Sequence, residues 1–259
     1  MKVFDVNDTP ETVSLLSPSL TARAEGVTAF EVKFLIDEAQ AQEVGAWASR
    51  HLIPDPHGNP ECEGSYQITS LYTDTQAFDV YHRTPKYRRR KYRLRRYGSE
   101  STIHLERKVR RGERVAKRRT SVPECDLLLL NHALTLSDWP GHWFQQCLLR
   151  KSLLPVCQLV YQRTAFLGSC SEGPLRLTLD RQIQGQLASD WNVETSEQAI
   201  PLLPGEVVLE LKFREAMPVL FKQLVAELQL CSTGVSKYRR CLDAWRVTVL
   251  LKESGVKYA

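Results

Sequence analysis

At least six strand-length segments of this chain alternate ionisable with apolar side chains, and that alternation limits its possible folds more than any other feature. Successive side chains of a strand point to opposite faces, so a period of two separates a charged face from an apolar one. In KYRLRRY (91–97), Lys91, Arg93, Arg95 and Tyr97 share one face, while Tyr92 and Leu94 share the other. Beyond the Gly98-Ser99 turn, STIHLERKVRRG sets His104, Glu106, Lys108 and Arg110 opposite Ile103, Leu105 and Val109, which predicts a hairpin of two strands of one design. TAFEVKFLI (28–36) sets Glu31 and Lys33 against Phe30, Val32 and Phe34. In QLVYQRTAF, Tyr161 and Arg163 oppose Val160 and Gln162. In PLRLTLDRQI, Arg176, Thr178 and Asp180 oppose three leucines; in EVVLELKFRE, Val208, Glu210, Lys212 and Arg214 oppose Leu209, Leu211 and Phe213. SYQITSLYTDT and FDVYH also read as strands.

Helical patterns separate these segments. DEAQAQEVGAWASRHL begins with Asp37 at its N-terminal end. Others are PECDLLLLNHAL, WFQQCLLRKSLL, roughly 216–230, and SKYRRCLDAWRVTVLLKE from Ser236. Residues 54–64 are a turn-rich loop. Residues 1–26 are polar with Pro and Ser and read as a flexible lead-in, and no linker divides 27–259, so one α+β domain is expected.

Two architectures meet this pattern. In an ordinary antiparallel sheet the apolar face covers a core and the charges meet water. In an inverted, closed β-barrel the apolar faces lie outward under helices and the charged faces line a tunnel, with no sheet edges left. Long strands mixing Glu with Arg and Lys at their centres, and helices in need of an apolar surface, speak for the second. Such a tunnel must be hydrated or hold anions, because unpaired buried cations are costly.

The charge distribution points the same way. Residues 83–119 hold 17 Lys and Arg against three acids, whereas the rest of the chain holds 18 against 27. Positive charge concentrated on an otherwise acidic protein suits a polyanionic ligand better than a general nucleic-acid coat. No aromatic platform or groove-reading element supports a nucleic-acid binder. The seven cysteines form no CxxC pair and read as reduced, mostly buried thiols; the histidines show no HxxxH or HExxH spacing. Trp47, Trp139, Trp143, Trp191 and Trp245 read as core or helix anchors. No run of about 18 apolar residues and no secretory leader is visible, so a cytoplasmic location is expected.

Seven short motifs in series, FEVKF, KYRLRRYG, HLERK followed by AKRR, YQRTAF, LRLTLDR, VLELKF and VSKY, carry a resemblance that covers about residues 28–252. They resemble the VTC domain, the polyphosphate-polymerase domain of the vacuolar transporter chaperone complex, within the triphosphate tunnel metalloenzyme (CYTH-like) superfamily. The resemblance implies an antiparallel β-barrel with a basic tunnel for nucleoside triphosphate and polyphosphate. It further implies transfer of the ATP γ-phosphoryl group onto a growing polyphosphate chain with a divalent metal, Mn2+ or Mg2+.

Carried over by motif, the expected catalytic cations are Arg93, Arg95, Lys108, Arg163, Arg176 and Lys237, and the expected phosphate-binding residues are Lys33, Lys91, Lys117, Tyr161, Lys212 and Ser236. Phosphoryl transfer needs charge stabilisation more than a nucleophilic side chain, arginine forks grip two phosphate oxygens, and lysines supply point charges. Lys117 could equally be a solvated strand end, and Tyr161 a packing residue. Arg88, Arg89 and Arg90 read as a rim that attracts long polyanions. Glu210 is the expected metal ligand, with Glu31 and Glu106 as secondary candidates that could instead neutralise neighbouring cations. Many tunnel enzymes carry ExExK; here the registers read Ala29-x-Glu31-x-Lys33 and Val208-x-Glu210-x-Lys212, which fits the VTC branch better than a two-metal hydrolase. A triphosphate or polyphosphate hydrolase of the same fold, or a non-catalytic binding module, remain the alternatives. Neither an SPX segment nor a membrane helix is recognisable, so coupling to translocation would need a separate membrane-protein partner. The oligomeric state is left open.

Overall fold

The computed structural model describes residues 29–112, 114–131, 137–171, 173–194 and 197–245. The expected lead-in at 1–26 and the end of the last helix beyond 245 lie outside these residues. Ten strands form one antiparallel sheet: β1 (Ala29–Asp37), β2 (Ile53–Pro54), β3 (Ser65–Asp74), β4 (Arg90–Tyr97), β5 (Thr102–Arg111), β6 (Arg114–Pro123), β7 (Leu154–Cys170), β8 (Gly173–Leu187), β9 (Ile200–Pro201) and β10 (Glu206–Phe213). Their order is β2-β7-β3-β4-β5-β6-β1-β10-β8-β9, and an additional β7–β8 pairing returns eight of them to the starting strand as a ring. The thinnest seam is β1–β6, where only Ala29↔Val115 and Phe30↔Arg114 pair. Below it, Thr233 N–H donates to the Lys33 carbonyl (2.8 Å), so a later segment takes over the free edge of β1.

Register puts the charged residues on the inside of the ring. Arg93 pairs with Glu106, Lys91 with Lys108, Lys33 with Glu210, Lys212 with Arg176, and Arg163 with Asp180. The opposite, apolar faces carry the helices. Asp37 accepts from Gln40 N–H (2.7 Å) and starts α1 (Glu38–His51) where the sequence places it. From α1, Val44 and Trp47 join Phe221 and Leu224 of α4 (Val219–Glu227) over Leu177, Leu179, Leu209 and Leu211. Phe144 and Leu148 of α3 (His142–Lys151) cover Tyr92, Leu94, Ile103 and Leu105, and that cluster continues into Tyr238, Cys241 and Leu242 of α5 (Lys237–Ala244). Each Leu, Ile or Val buried there contributes about 1.5–3 kcal/mol, so the fold is held from outside the ring. The interior is not charged throughout. Ile68, Tyr161, Ile183 and Val208 of the strands, with Leu203 from the turn before β10, form a small buried cluster, and the register turns several of them inward.

Three local expectations need correction. FDVYH is not a strand but holds the short helix α2 (Asp79–His82). The buried Asp74 carboxylate accepts from Thr75 N–H (2.7 Å), Val80 N–H (2.8 Å) and Tyr81 N–H (2.9 Å), and so satisfies the donors a helix start leaves free. PECDLLLLNHAL forms a 3-10 run over Glu124–Asn131 in place of an α-helix. The cysteines are unpaired as expected but not mostly buried: Cys147, Cys157 and Cys241 are buried, Cys170 is half-buried, and Cys62, Cys125 and Cys231 are exposed.

Candidate functional site

The inner faces enclose a cavity of about 910 Å³, lined by twelve Lys and Arg side chains but only three carboxylates, Glu31, Glu100 and Glu210. Strand alternation supplies this wall, since every second residue of β1, β4, β5, β6, β8 and β10 points inward. Of the residues expected from sequence, Lys33, Lys91, Arg93, Arg95, Lys108, Lys117, Tyr161, Arg163, Arg176, Glu210, Lys212, Ser236 and Lys237 all meet here, with Glu31. Glu106 also faces inward but is fully buried among Arg93, Lys117 and Arg119, and does not border the cavity.

Four carboxylates in three clusters organise most of the cations. Glu106 Oε2 accepts from Arg93 Nε (2.7 Å), while its Oε1 accepts from Arg119 Nε (2.7 Å) and Lys117 Nζ (3.1 Å). Burial pushes this carboxyl up, but Arg93, Lys117, Arg95 and Arg119 hold it well below the usual range. Asp180 takes both prongs of Arg163 (2.6 and 2.7 Å) and the Lys237 ammonium (2.7 Å). The third group pairs Glu210 with Lys33 (2.9 Å) and Lys212 (2.7 Å), and Glu31 with Lys212 (3.6 Å) and Lys108. Burial and Glu210 raise the Glu31 carboxyl, yet Lys108, Lys212 and Lys33 together bring it down to about 2.

Two cations find neutral partners instead. Arg95 donates from Nε to Ser70 Oγ (3.1 Å) and from Nη2 to the Tyr161 hydroxyl (2.9 Å). Lys91 donates to Ser236 Oγ (2.9 Å), the residue that also caps α5 by accepting from Arg239 N–H (3.4 Å). Burial, with Lys33, Lys108 and Arg93 around it, brings the Lys91 ammonium down to about 7. Among the described residues neither has a carboxylate within ion-pair distance, so their charge is open to an anion.

Sequence reasoning missed several members of the wall. Arg119, two residues beyond Lys117 on β6, shares its face and donates to the Tyr97 hydroxyl (2.6 Å). Alternation would have found it. Burial raises the Tyr97 hydroxyl, but Arg95, Arg119 and Lys117 outweigh that and bring it down to about 7. Tyr72 accepts from Arg93 (3.0 Å) and stacks on Tyr238 of α5 (5.5 Å between centroids). At another part of the lining, Arg176 donates to Asp55 (2.6 Å) and Tyr66 (3.0 Å), both from outside its own strand pair. Nothing local in the sequence marks those partners.

For a divalent metal, the described residues hold no cluster of three or more His, Cys, Asp or Glu side chains. Glu31 and Glu210 lie on paired strands around the shared Lys212 ammonium and face the cavity. One or two carboxylates with substrate phosphates and water completing the shell is a sufficient donor set for Mg2+ or Mn2+, so the residues fit such an ion once an anionic substrate is bound. Among the described residues no helix is long and apolar enough to cross a membrane.

Comparison with solved structures finds a candidate adenylate cyclase from Bacillus halodurans at 14% identity, covering 81% of this chain and 95% of that one with a TM-score of 0.51. A candidate adenylyl cyclase from Hippeastrum with a dominant triphosphatase activity matches at 13% identity over 89% and 97% (TM-score 0.46), and the PH1819 protein of Pyrococcus horikoshii at 11% over 83% and 99% (TM-score 0.47). At that identity the likeness to the Bacillus halodurans structure speaks of the fold alone. No curated protein matches the chain. The family model for the VTC domain matches residues 28–246. A cation-lined cavity inside a ring of eight strands, built on the strands that carry six of the seven motifs and on the start of α5 that carries VSKY, therefore sits in a chain that belongs to the VTC domain family.

Proposed function

We propose that this chain is a metal-dependent phosphotransferase that moves the γ-phosphoryl group of ATP onto the end of a polyphosphate chain, using the ring interior as a tunnel. The observation that carries the proposal is the charge imbalance of the cavity, with Arg95 and Lys91 left for a polyanion after the carboxylates have engaged their neighbours. Excess buried cations are costly in an empty site and become favourable when phosphate oxygens replace water around them.

In this reading Arg93 and Arg95 clamp the transferring phosphoryl group, with Arg163, Arg176, Lys108 and Lys237 around it. Lys33, Lys91, Lys117, Lys212, Tyr161 and Ser236 hold the remaining phosphates. The bond from the γ-phosphorus to the β-bridging oxygen breaks and ADP leaves, while a terminal oxygen of the chain forms the new bond. That oxygen is already anionic, so no general base is required. Fixed guanidinium and ammonium groups stabilise charge on the equatorial and leaving oxygens without reorganising. Glu210, with Glu31, would hold a divalent ion, which would supply charge neutralisation at the phosphates. Glu106 is assigned to neutralising Arg93, Lys117 and Arg119.

A second reading, hydrolysis of triphosphate or polyphosphate, draws on one observation: Glu31 and Glu210 share Lys212, which brings a second carboxylate beside the first. Incubating the protein with ATP and Mn2+ separates the two. Growing polyphosphate with matching ADP, abolished in Arg93→Ala and Glu210→Ala, is the expected result. Orthophosphate without chain growth would transfer the reading to the hydrolase, and binding without turnover would leave a binding module.

A further inference from the structure

We infer that a second site for a chain of phosphates lies outside the ring, in the pocket between the 85–90 segment and the end of β5. The pocket has a volume of about 410 Å³ and is lined by Lys86, Arg88, Arg89, Arg90 and Arg111, with one proline and one valine. All five cations are exposed, and none is within ion-pair distance of a carboxylate among the described residues. Five like charges around one concavity repel each other, and an anion relieves that repulsion.

The charges are held together by the backbone and do not belong to a loose tail. Arg88 N–H donates to the Thr84 carbonyl (2.8 Å), Arg90 N–H to Tyr87 (2.9 Å) and Arg110 N–H to Arg89 (2.8 Å). Tyr87 in turn donates its hydroxyl to the Lys151 carbonyl (3.2 Å), tying the segment to α3. A preorganised set of cations binds a repeating anion at lower entropic cost than a mobile one.

The lining favours a phosphate chain over other polyanions. It holds no aromatic side chain, so bases would find no stacking platform. The pocket also adjoins the cavity wall. Arg90 pairs with Val109 in the β4–β5 register, and the next pair, Lys91 and Lys108, lines the ring interior. Arg90 begins β4 and Arg111 ends β5, so a chain too long for the cavity meets this second set of cations where it rounds the ends of those two strands. The identity of the ligand rests on the function proposed above; the existence of the site does not.

The test uses the whole chain, wild type and the quadruple variant Lys86→Ala, Arg88→Ala, Arg89→Ala, Arg111→Ala, with Arg95→Ala for comparison. These four side chains are exposed and the hydrogen bonds holding the segment are made by backbone, so an unchanged melting temperature is expected of the variant. Affinity is measured by calorimetry for tripolyphosphate and for long-chain polyphosphate. The expected result is a loss of about tenfold or more for the long chain in the quadruple variant, with tripolyphosphate affinity within about twofold of wild type and a shallower salt dependence. Long-chain affinity within about twofold of wild type would overturn the outer site. Rim-dependent long-chain binding with no tripolyphosphate binding would uphold the outer site while refuting the cavity reading. Binding of neither ligand would refute both. A single-stranded oligonucleotide of equal charge that competes as well as polyphosphate would overturn the assignment to a phosphate chain.

Discussion

Arg95 of β4 reaches past β3 and donates to the Tyr161 hydroxyl of β7 at 2.9 Å. A buried guanidinium bound to a hydroxyl keeps its whole charge, whereas one bound to a carboxylate is already neutralised. This pair therefore marks where an anion gains most. Arg95→Ala is expected to weaken tripolyphosphate binding by about 1.5–3 kcal/mol, the range for hydrogen bonds to charged groups. Tyr161→Phe, which keeps the ring and removes the acceptor, should lower affinity by less than Arg95→Ala does. Calorimetry on the two variants checks the order, and equal losses would contradict it.

Lys91 gives the site a pH dependence. Its ammonium is brought to about 7 in the folded protein, while an unfolded lysine titrates at about 10.4. Because an anion favours the charged form, tripolyphosphate affinity should fall as pH rises through 7 and beyond. Lys91→Met should flatten that profile. For stability the sign is reversed: the cost of charging Lys91 is present in full below pH 7 and disappears as pH rises toward the unfolded value. Lys91→Met should accordingly raise the melting temperature of the ligand-free protein at neutral pH, and denaturation at pH 6, 7.5 and 9 checks this. A variant with wild-type affinity profile and lower stability would refute the assignment.

Glu106 is a structural centre more than a ligand. Removing its charge leaves Arg93, Lys117 and Arg119 facing each other without a counter-charge, and the amide nitrogen of Gln turns one of the two acceptor positions into a donor. Glu106→Gln is expected to cost about 3–5 kcal/mol, as breaking a buried ion pair commonly does. Since the folded carboxyl titrates well below its unfolded value, its stabilisation is present above about pH 4.5 and is lost as pH falls through the folded value. Urea titration at pH 7 and pH 3 should therefore show the wild type and the variant converging at the lower pH.

Glu210→Gln separates metal from anion binding. It should abolish Mn2+-dependent turnover while the metal-free affinity for tripolyphosphate stays equal or rises, because Lys33 and Lys212 are released from their partner. Mn2+ binding followed by electron paramagnetic resonance in the presence of tripolyphosphate gives a readout independent of turnover. Undiminished Mn2+ binding in the variant would remove Glu210 from the metal site.

The seat of α5 offers a packing test. A Cβ at Gly185 of β8 would stand 2.7 Å from Cys241 Sγ and 2.9 Å from Leu159. Gly185→Ala should destabilise the fold by about 1–3 kcal/mol through overpacking and displace the helix that brings Ser236 and Lys237 to the cavity. Thermal denaturation and tripolyphosphate affinity should both fall.

What the sequence determined by itself is what lies within a few residues along the chain. A period of two places Lys91, Arg93 and Arg95 on one face, and Asp37 starts α1 by bonding three residues ahead; both are local facts, written in local pattern. FDVYH forms a helix against its strand-like alternation because the Asp74 carboxylate takes up the N–H groups of Val80 and Tyr81 in α2, and no count of apolar spacing reveals such an acceptor. The tertiary structure alone decided which side of the sheet faces inward, since the same alternation serves a solvated sheet and an inverted ring until helices cover the apolar faces. It also decided which cations stay available. Arg95 and Arg163 look equivalent in their motifs, but register sets Asp180 against Arg163, whereas Arg95 faces Ser70 and His104 on its neighbouring strands and reaches the Tyr161 hydroxyl beyond β3. Electrostatic pairing depends on distances between residues far apart in the chain, and ring closure creates those distances.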